Sequence, residues 1–146
     1  MRLRFALLLT ICLLATHGHA ANRVVVLVTS SGCAMNEIST LDVRKAYLGF
    51  GVSFEGRSIR AYRLKSDYQL NQIFFQSVVA MSEKTYERRL LLQLLQYGRP
   101  RPREFDSSES LVSALEEIQC SIAYMWQSDQ EGRTGIKVIR ILWQEN

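Results

Sequence analysis

Three side chains in the stretch AYRLKSDYQLNQIFF, Ala61 to Phe75, are spaced to do chemistry together: Arg63, Ser66 and Asp67. The stretch leaves a strand, turns through Arg-Leu-Lys-Ser-Asp and enters an amphipathic helix. A guanidinium and a hydroxyl beside a helix start can hold an oxyanion, because the backbone N–H groups of the first turn lack intrahelical partners and carry the positive end of the helix dipole. The same corner has a second use. Asp67 can accept from those N–H groups with its own carboxylate and simply cap the helix. The residues alone leave both uses open.

Other chemistries are narrowed by the N-terminal twenty residues, MRLRFALLLTICLLATHGHA. Two arginines, an apolar run from Phe5 to Ala15 and the small residues Gly18 and Ala20 form the pattern of a cleavable secretory leader. The run is well short of the roughly 20 apolar residues that span a bilayer, so no stable membrane insertion is expected after cleavage. We therefore expect a leader at 1–20, a periplasmic location and one domain at 21–146, whose 146 − 20 = 126 residues suffice for a single core. Basic residues fall from 18 to 16 against 14 acidic, a net charge of +2, which argues against nucleic acid as a partner. Both histidines, His17 and His19, leave with the leader. Ser-His-Asp and Cys-His nucleophile systems then lack their base, and zinc loses its commonest nitrogen ligand. No glycine-rich phosphate loop is present and Glu116-Glu117 reads as a solvated helix face, so neither an enzyme nor a cofactor is expected. Cys33 and Cys120 remain as the two cysteines of the exported chain. In an oxidising compartment they can pair, or they can stay apart as two small buried residues.

The elements that must position these residues come in a clear order. RVVVLVTS, Arg23 to Ser30, is a continuous β-branched run that predicts a central strand buried on both faces. A helix follows, capped by Ser39 with Asp42 three residues on, with Ile38 placed to staple against Val43 and Gly49 as its stop. Arg57 to Arg63 alternates as a second, partly exposed strand. Leu70, Ile73, Phe74, Val78 and Met81 mark one helix. Ser82 restarts another through Tyr86, Leu90, Leu91, Leu94 and Leu95 to Gly98, both facing the core. The run Leu90-Leu91-Leu92 reads as core, with a dimer surface as the other use of any exposed part. GRPRPREFDSS reads as an extended connector rather than an element, either a solvated link or a basic strip for an acidic partner or anionic head groups. SESLVSALEEI is a further helix, and CSIAYMW and IKVIRILW are strands. The order is β-α-β-α-α-α-β-β.

Four stretches in this order carry a resemblance: ISTLDVRKAYLG, FFQSVVAMSEKTYERR, GRPRPRE and LVSALEEIQCSIAYM. Together they are similar to short exported proteins of the phosphate-transporter substrate-binding kind, in the type 2 periplasmic-binding-protein superfamily. The resemblance implies an α/β fold: a single-lobe periplasmic-binding-protein-like domain with a mixed sheet flanked by helices. Ala123 stands where the family has glycine in Ile-Gly-Tyr. At the opening corner, Arg63 and Ser66 match the family's arginine and hydroxyl, whereas Asp67-Tyr68 replaces its Gly-Thr. Full-length relatives close two lobes around a cleft, and this chain resembles mainly one. The family's first strand runs antiparallel to its neighbours, which implies a disulfide between Cys33 and Cys120.

Two functions follow from the resemblance. The first is a non-catalytic periplasmic solute-binding-like protein, taking phosphate or a similar small inorganic oxyanion at Arg63, Ser66 and Asp67 and working with an ABC permease. The second is an envelope interaction module that kept the fold, lost the ligand and docks on another envelope protein or a membrane. A helix N-terminus favours an anion by roughly 0.3–1 kcal/mol and charge-assisted hydrogen bonds add about 1.5–3 kcal/mol each. Association costs ~4–15 kcal/mol, so an open, one-lobed site would bind at about millimolar or weaker.

Overall fold

A five-stranded mixed sheet carries the chain, flanked by helices. The computed structural model describes residues 22–146, and the expected leader at 1–20 lies outside the described residues. The strands are β1 (Val24–Ser30), β4 (Ala61–Leu64), β5 (Arg103–Phe105), β6 (Ile122–Trp126) and β7 (Ile136–Gln144), in spatial order β5-β4-β6-β1-β7. β4 is parallel to both β5 and β6, whereas β1 is antiparallel to both β6 and β7, so β1 alone runs against the rest. Its apolar run is continuous because the strand is paired on both sides and Val25 to Ser30 are all buried.

The helices begin where short polar side chains can reach forward. Ser39 accepts from the Asp42 N–H and opens α1 (Thr40–Tyr47); Ser82 accepts from the Thr85 N–H and opens α3 (Glu83–Tyr97). Ser107 does the same for α4 (Ser108–Glu117). Between them, α2 (Tyr68–Ile73) runs directly into a π-helical turn (Phe74–Val78), and the short α5 (Gln127–Gln130) follows β6. Gly49, at φ +79°, and Gly98, at φ +63°, take the left-handed turns that end α1 and α3. Leu70, Ile73, Phe74 and Val78 are buried, as their spacing predicts.

Three readings change. Arg57 to Arg63 is not one strand: β3 (Arg57–Ser58) pairs with β2 (Ser53–Phe54) in a separate hairpin, and β4 starts afresh at Ala61. All four residues of β4 are buried, because β5 and β6 flank it and its polar Arg63 finds partners inside. The arginine connector is also an element at its end. Arg103–Phe105 pairs with Tyr62–Leu64 as an edge strand, the place where the neighbouring prolines cost no ladder hydrogen bond. Finally, α3 faces the core only through Tyr86 and Leu90; Leu91, Leu92, Leu94 and Leu95 are exposed, because the helix turns its Tyr86–Leu90–Gln93 side inward, with half-buried Gln93 beside Gly49.

Because β1 and β6 are antiparallel, with Thr29 opposite Ile122, the end of one lies beside the start of the other. Thr29 donates to the Ser121 carbonyl there at 2.7 Å. Just beyond, Cys33 and Cys120 are joined in a disulfide, their Cα atoms 5.0 Å apart.

Candidate functional site

The corner at residues 63–67 sits at the carboxyl end of β4, the edge where parallel sheets present their ligand sites. Arg63 leaves this strand pointing into the fold and is only 4% exposed. Its guanidinium lies about 5 Å from the rings of Phe74, Phe75 and Tyr86 (5.0, 5.2 and 4.9 Å), an aromatic cage that suits a weakly hydrated planar cation. The π-helical turn brings Phe74 and Phe75 to it, and α3 brings Tyr86.

Each nitrogen of the guanidinium has an intramolecular partner. Nη1 donates to Glu104 Oε1 at 3.2 Å and lies 3.6 Å from Glu87 Oε1. Nη2 donates to Asn71 Oδ1 at 3.5 Å, and Nε reaches the Tyr124 hydroxyl at 3.4 Å. The two carboxylates are shared outward: Glu87 also pairs with Arg101, and Glu104 with Lys65. Cations and anions thus alternate along Lys65, Glu104, Arg63, Glu87 and Arg101. Burial works against the Arg63 charge, but Tyr124, Tyr86 and Glu104 outweigh it and hold the guanidinium above its ordinary value. Burial also pushes the Tyr124 hydroxyl up to about 12 and raises those of Tyr86 and Tyr47. All three are therefore neutral hydrogen-bond donors under physiological conditions.

Asn71 ties the corner together. Its Nδ2 donates to the carbonyls of Leu64 (3.0 Å), Lys65 (3.1 Å) and Asp67 (2.7 Å), and its Oδ1 accepts from the Tyr124 hydroxyl at 2.8 Å. Asp67 spends both carboxylate oxygens within the chain. Oδ1 accepts from the Leu70 N–H at 2.9 Å, capping α2, and Oδ2 accepts from the Trp126 indole at 2.7 Å. Ser66 is exposed, and its hydroxyl meets no partner among the described residues.

The structure therefore brings Arg63 and Ser66 to one cleft and turns the Asp67 carboxylate away from it, to the α2 cap and Trp126. The cleft, about 400 Å³, is lined by Arg63, Lys65 and Arg101 and equally by Glu83, Glu87 and Glu104, so its formal charge cancels. Sequence reasoning missed Asn71, Glu87, Glu104 and Tyr124. One signal was available: Asn71 interrupts the apolar face of a helix, where asparagine is unfavourable unless its side chain bonds to the backbone. Among the described residues no group of three or more histidine, cysteine, aspartate or glutamate side chains is placed to hold a metal ion.

No protein-family model matches the sequence, and no curated protein matches it either. Solved structures do match in fold. A candidate phosphate ABC transporter substrate-binding protein with bound phosphate from Clostridium perfringens superposes with a TM-score of 0.61 at 12% identity, covering 82% of this chain and 45% of its own. PstS from Borrelia burgdorferi gives 0.57 at 11% identity over 81% of this chain and 47% of its own. An ABC-type phosphate transport receptor from Vibrio cholerae gives 0.59 at 8% identity over 82% and 46%. The chain thus has the mixed α/β fold of substrate-binding proteins, as the sequence resemblance implies, and spans less than half the length of each of the three.

Proposed function

We propose that this protein is a non-catalytic, solute-binding-like module of the cell envelope whose anion seat is filled by its own carboxylates, so that it works by docking on an envelope partner. The observation that carries this reading is the closure of Arg63. A buried guanidinium already paired with Glu104 and near Glu87 offers no free charge to a small anion, and Asp67 covers the Leu70 N–H that an anion at the helix start would need. Displacing both carboxylates would cost about as much as a new charge-assisted contact returns, roughly 1.5–3 kcal/mol each. The shared fold supports a solute-binding ancestry, and the leader pattern supports export to the periplasm.

One observation favours the other reading, weak oxyanion binding at Arg63, Ser66 and Asp67. Ser66, without a partner among the described residues, and the exposed Lys65 face the open cleft beside Arg63. Calorimetric titration with phosphate and sulfate separates the two. We expect no saturable heat up to tens of millimolar for the parent protein, and binding at about millimolar to appear in Glu87→Gln/Glu104→Gln, which frees the guanidinium. Millimolar or tighter binding by the parent, lost in Arg63→Met, would overturn the closed-seat reading and restore the oxyanion and its permease.

A further inference from the structure

A second, larger groove lies on the other side of the arginine connector. It encloses about 780 Å³ and is lined by Arg60, Arg99, Arg101 and Arg103 together with Phe50 and Tyr62, and no carboxylate lines it. Arg101 is held by Glu87, but Arg60, Arg99 and Arg103 have no ionic partner among the described residues. Tyr62 is buried and its hydroxyl finds no hydrogen-bond partner among the described residues. Arg99 lies 5.1 Å from the rings of both Phe50 and Tyr97, so the groove's rim continues onto the end of α3.

That helix end is apolar and uncovered. Leu91, Leu92 and Leu94 are exposed, Leu95 and Tyr97 are 72% and 62% exposed, and Phe50 shares Arg99 with Tyr97. Charge is sorted across the same segment. From residue 83 to 103 the acidic residues are Glu83 and Glu87, and both line the Arg63 cleft. Lys84, Arg88 and Arg89 are exposed, and Arg99 and Arg103 line the groove. Exposed leucines and an aromatic ring bordered by cations, with the acid nearest the leucines, Glu87, already paired with Arg101 and near Arg63, are the features of a helix that lies in the interface of an anionic membrane. A second copy would set these cations against their own kind.

We propose that α3 and the arginine groove form a docking site for an anionic phospholipid surface, the phosphate entering among Arg60, Arg99 and Arg103 while Leu91, Leu92 and Leu95 meet the acyl boundary. This names the partner of the envelope module and rests on that reading for the compartment alone. The test uses exported protein recovered from periplasmic extract, its mass checked, floated with vesicles of phosphatidylcholine with or without phosphatidylglycerol.

Binding to the phosphatidylglycerol vesicles should exceed binding to neutral ones by about tenfold or more, and should weaken at high salt. Leu91→Ser/Leu95→Ser and, separately, Arg60→Gln/Arg103→Gln should each lower it about tenfold with melting temperatures little changed, since the leucines are already exposed. Equal binding to both vesicles, or none, overturns the proposal. So does saturable binding of soluble glycerol phosphate without vesicle binding, which would make the groove a site for a free anion. A concentration-dependent dimer abolished by the leucine variant, with no vesicle binding, would assign the face to a second copy. Phosphate heat at the Arg63 cleft is a separate measurement, so failure of this proposal and failure of the closed-seat reading are distinguishable.

Discussion

Reduction of the Cys33–Cys120 disulfide should cost this domain a large part of its stability. The bond closes a loop with a sequence separation of 87 residues, and both ends are buried, one beyond each strand of the β1·β6 pair. In the chain-entropy model such a loop removes about 15 cal/mol/K from the unfolded ensemble, or about 4–5 kcal/mol at room temperature. The register between β1 and β6 is set without the sulfurs, by five consecutive residue pairs and the Thr29 to Ser121 hydrogen bond. The folded state of the reduced protein should therefore keep its topology, and the effect should fall on the unfolding equilibrium. For a domain of this size about 4–5 kcal/mol corresponds to a drop of about 15 °C in melting temperature. Thermal melts followed by circular dichroism, with and without reductant and with Cys33→Ala/Cys120→Ala, give the number directly. A drop below about 5 °C in both would refute the reasoning, as would free alkylation of both thiols under native, non-reducing conditions.

Asp67→Ala should lower stability by about 1–2 kcal/mol through loss of the α2 cap, with a further cost for the Trp126 indole left without its acceptor; denaturant melts and indole fluorescence report the two separately. Tyrosinate absorbance should show Tyr47, Tyr86 and Tyr124 titrating late. Because Tyr124 is raised to about 12 when folded against about 10 when unfolded, its stabilisation is complete below pH about 10 and is lost as pH rises towards 12. Cooperative alkaline unfolding in that window is the expected result, and ordinary titration of Tyr47, Tyr86 and Tyr124 near pH 10 with the fold intact would contradict it.

Much of this architecture is local and was legible from the residues. Ser39, Ser82 and Asp67 each cap a helix by accepting from an N–H three residues ahead. A side chain and a backbone group that close in sequence meet whatever the rest of the chain does. The buried run of β1 and the buried face of α2 are legible for the same reason, since burial follows the period of the element. The fate of Arg63 is different. Its partners Glu104 and Tyr124 lie 41 and 61 residues away, brought to it because β5 and β6 happen to be the neighbours of β4. The same holds for the leucines of α3. Their spacing is that of any amphipathic helix, and only the tertiary structure decides that the side with Tyr86, Leu90 and half-buried Gln93 turns inward while Leu91, Leu92, Leu94 and Leu95 face outward. The sequence by itself determined where a cation could be offered to an anion; the order of strands in the sheet determined that Glu104 lies beside that cation.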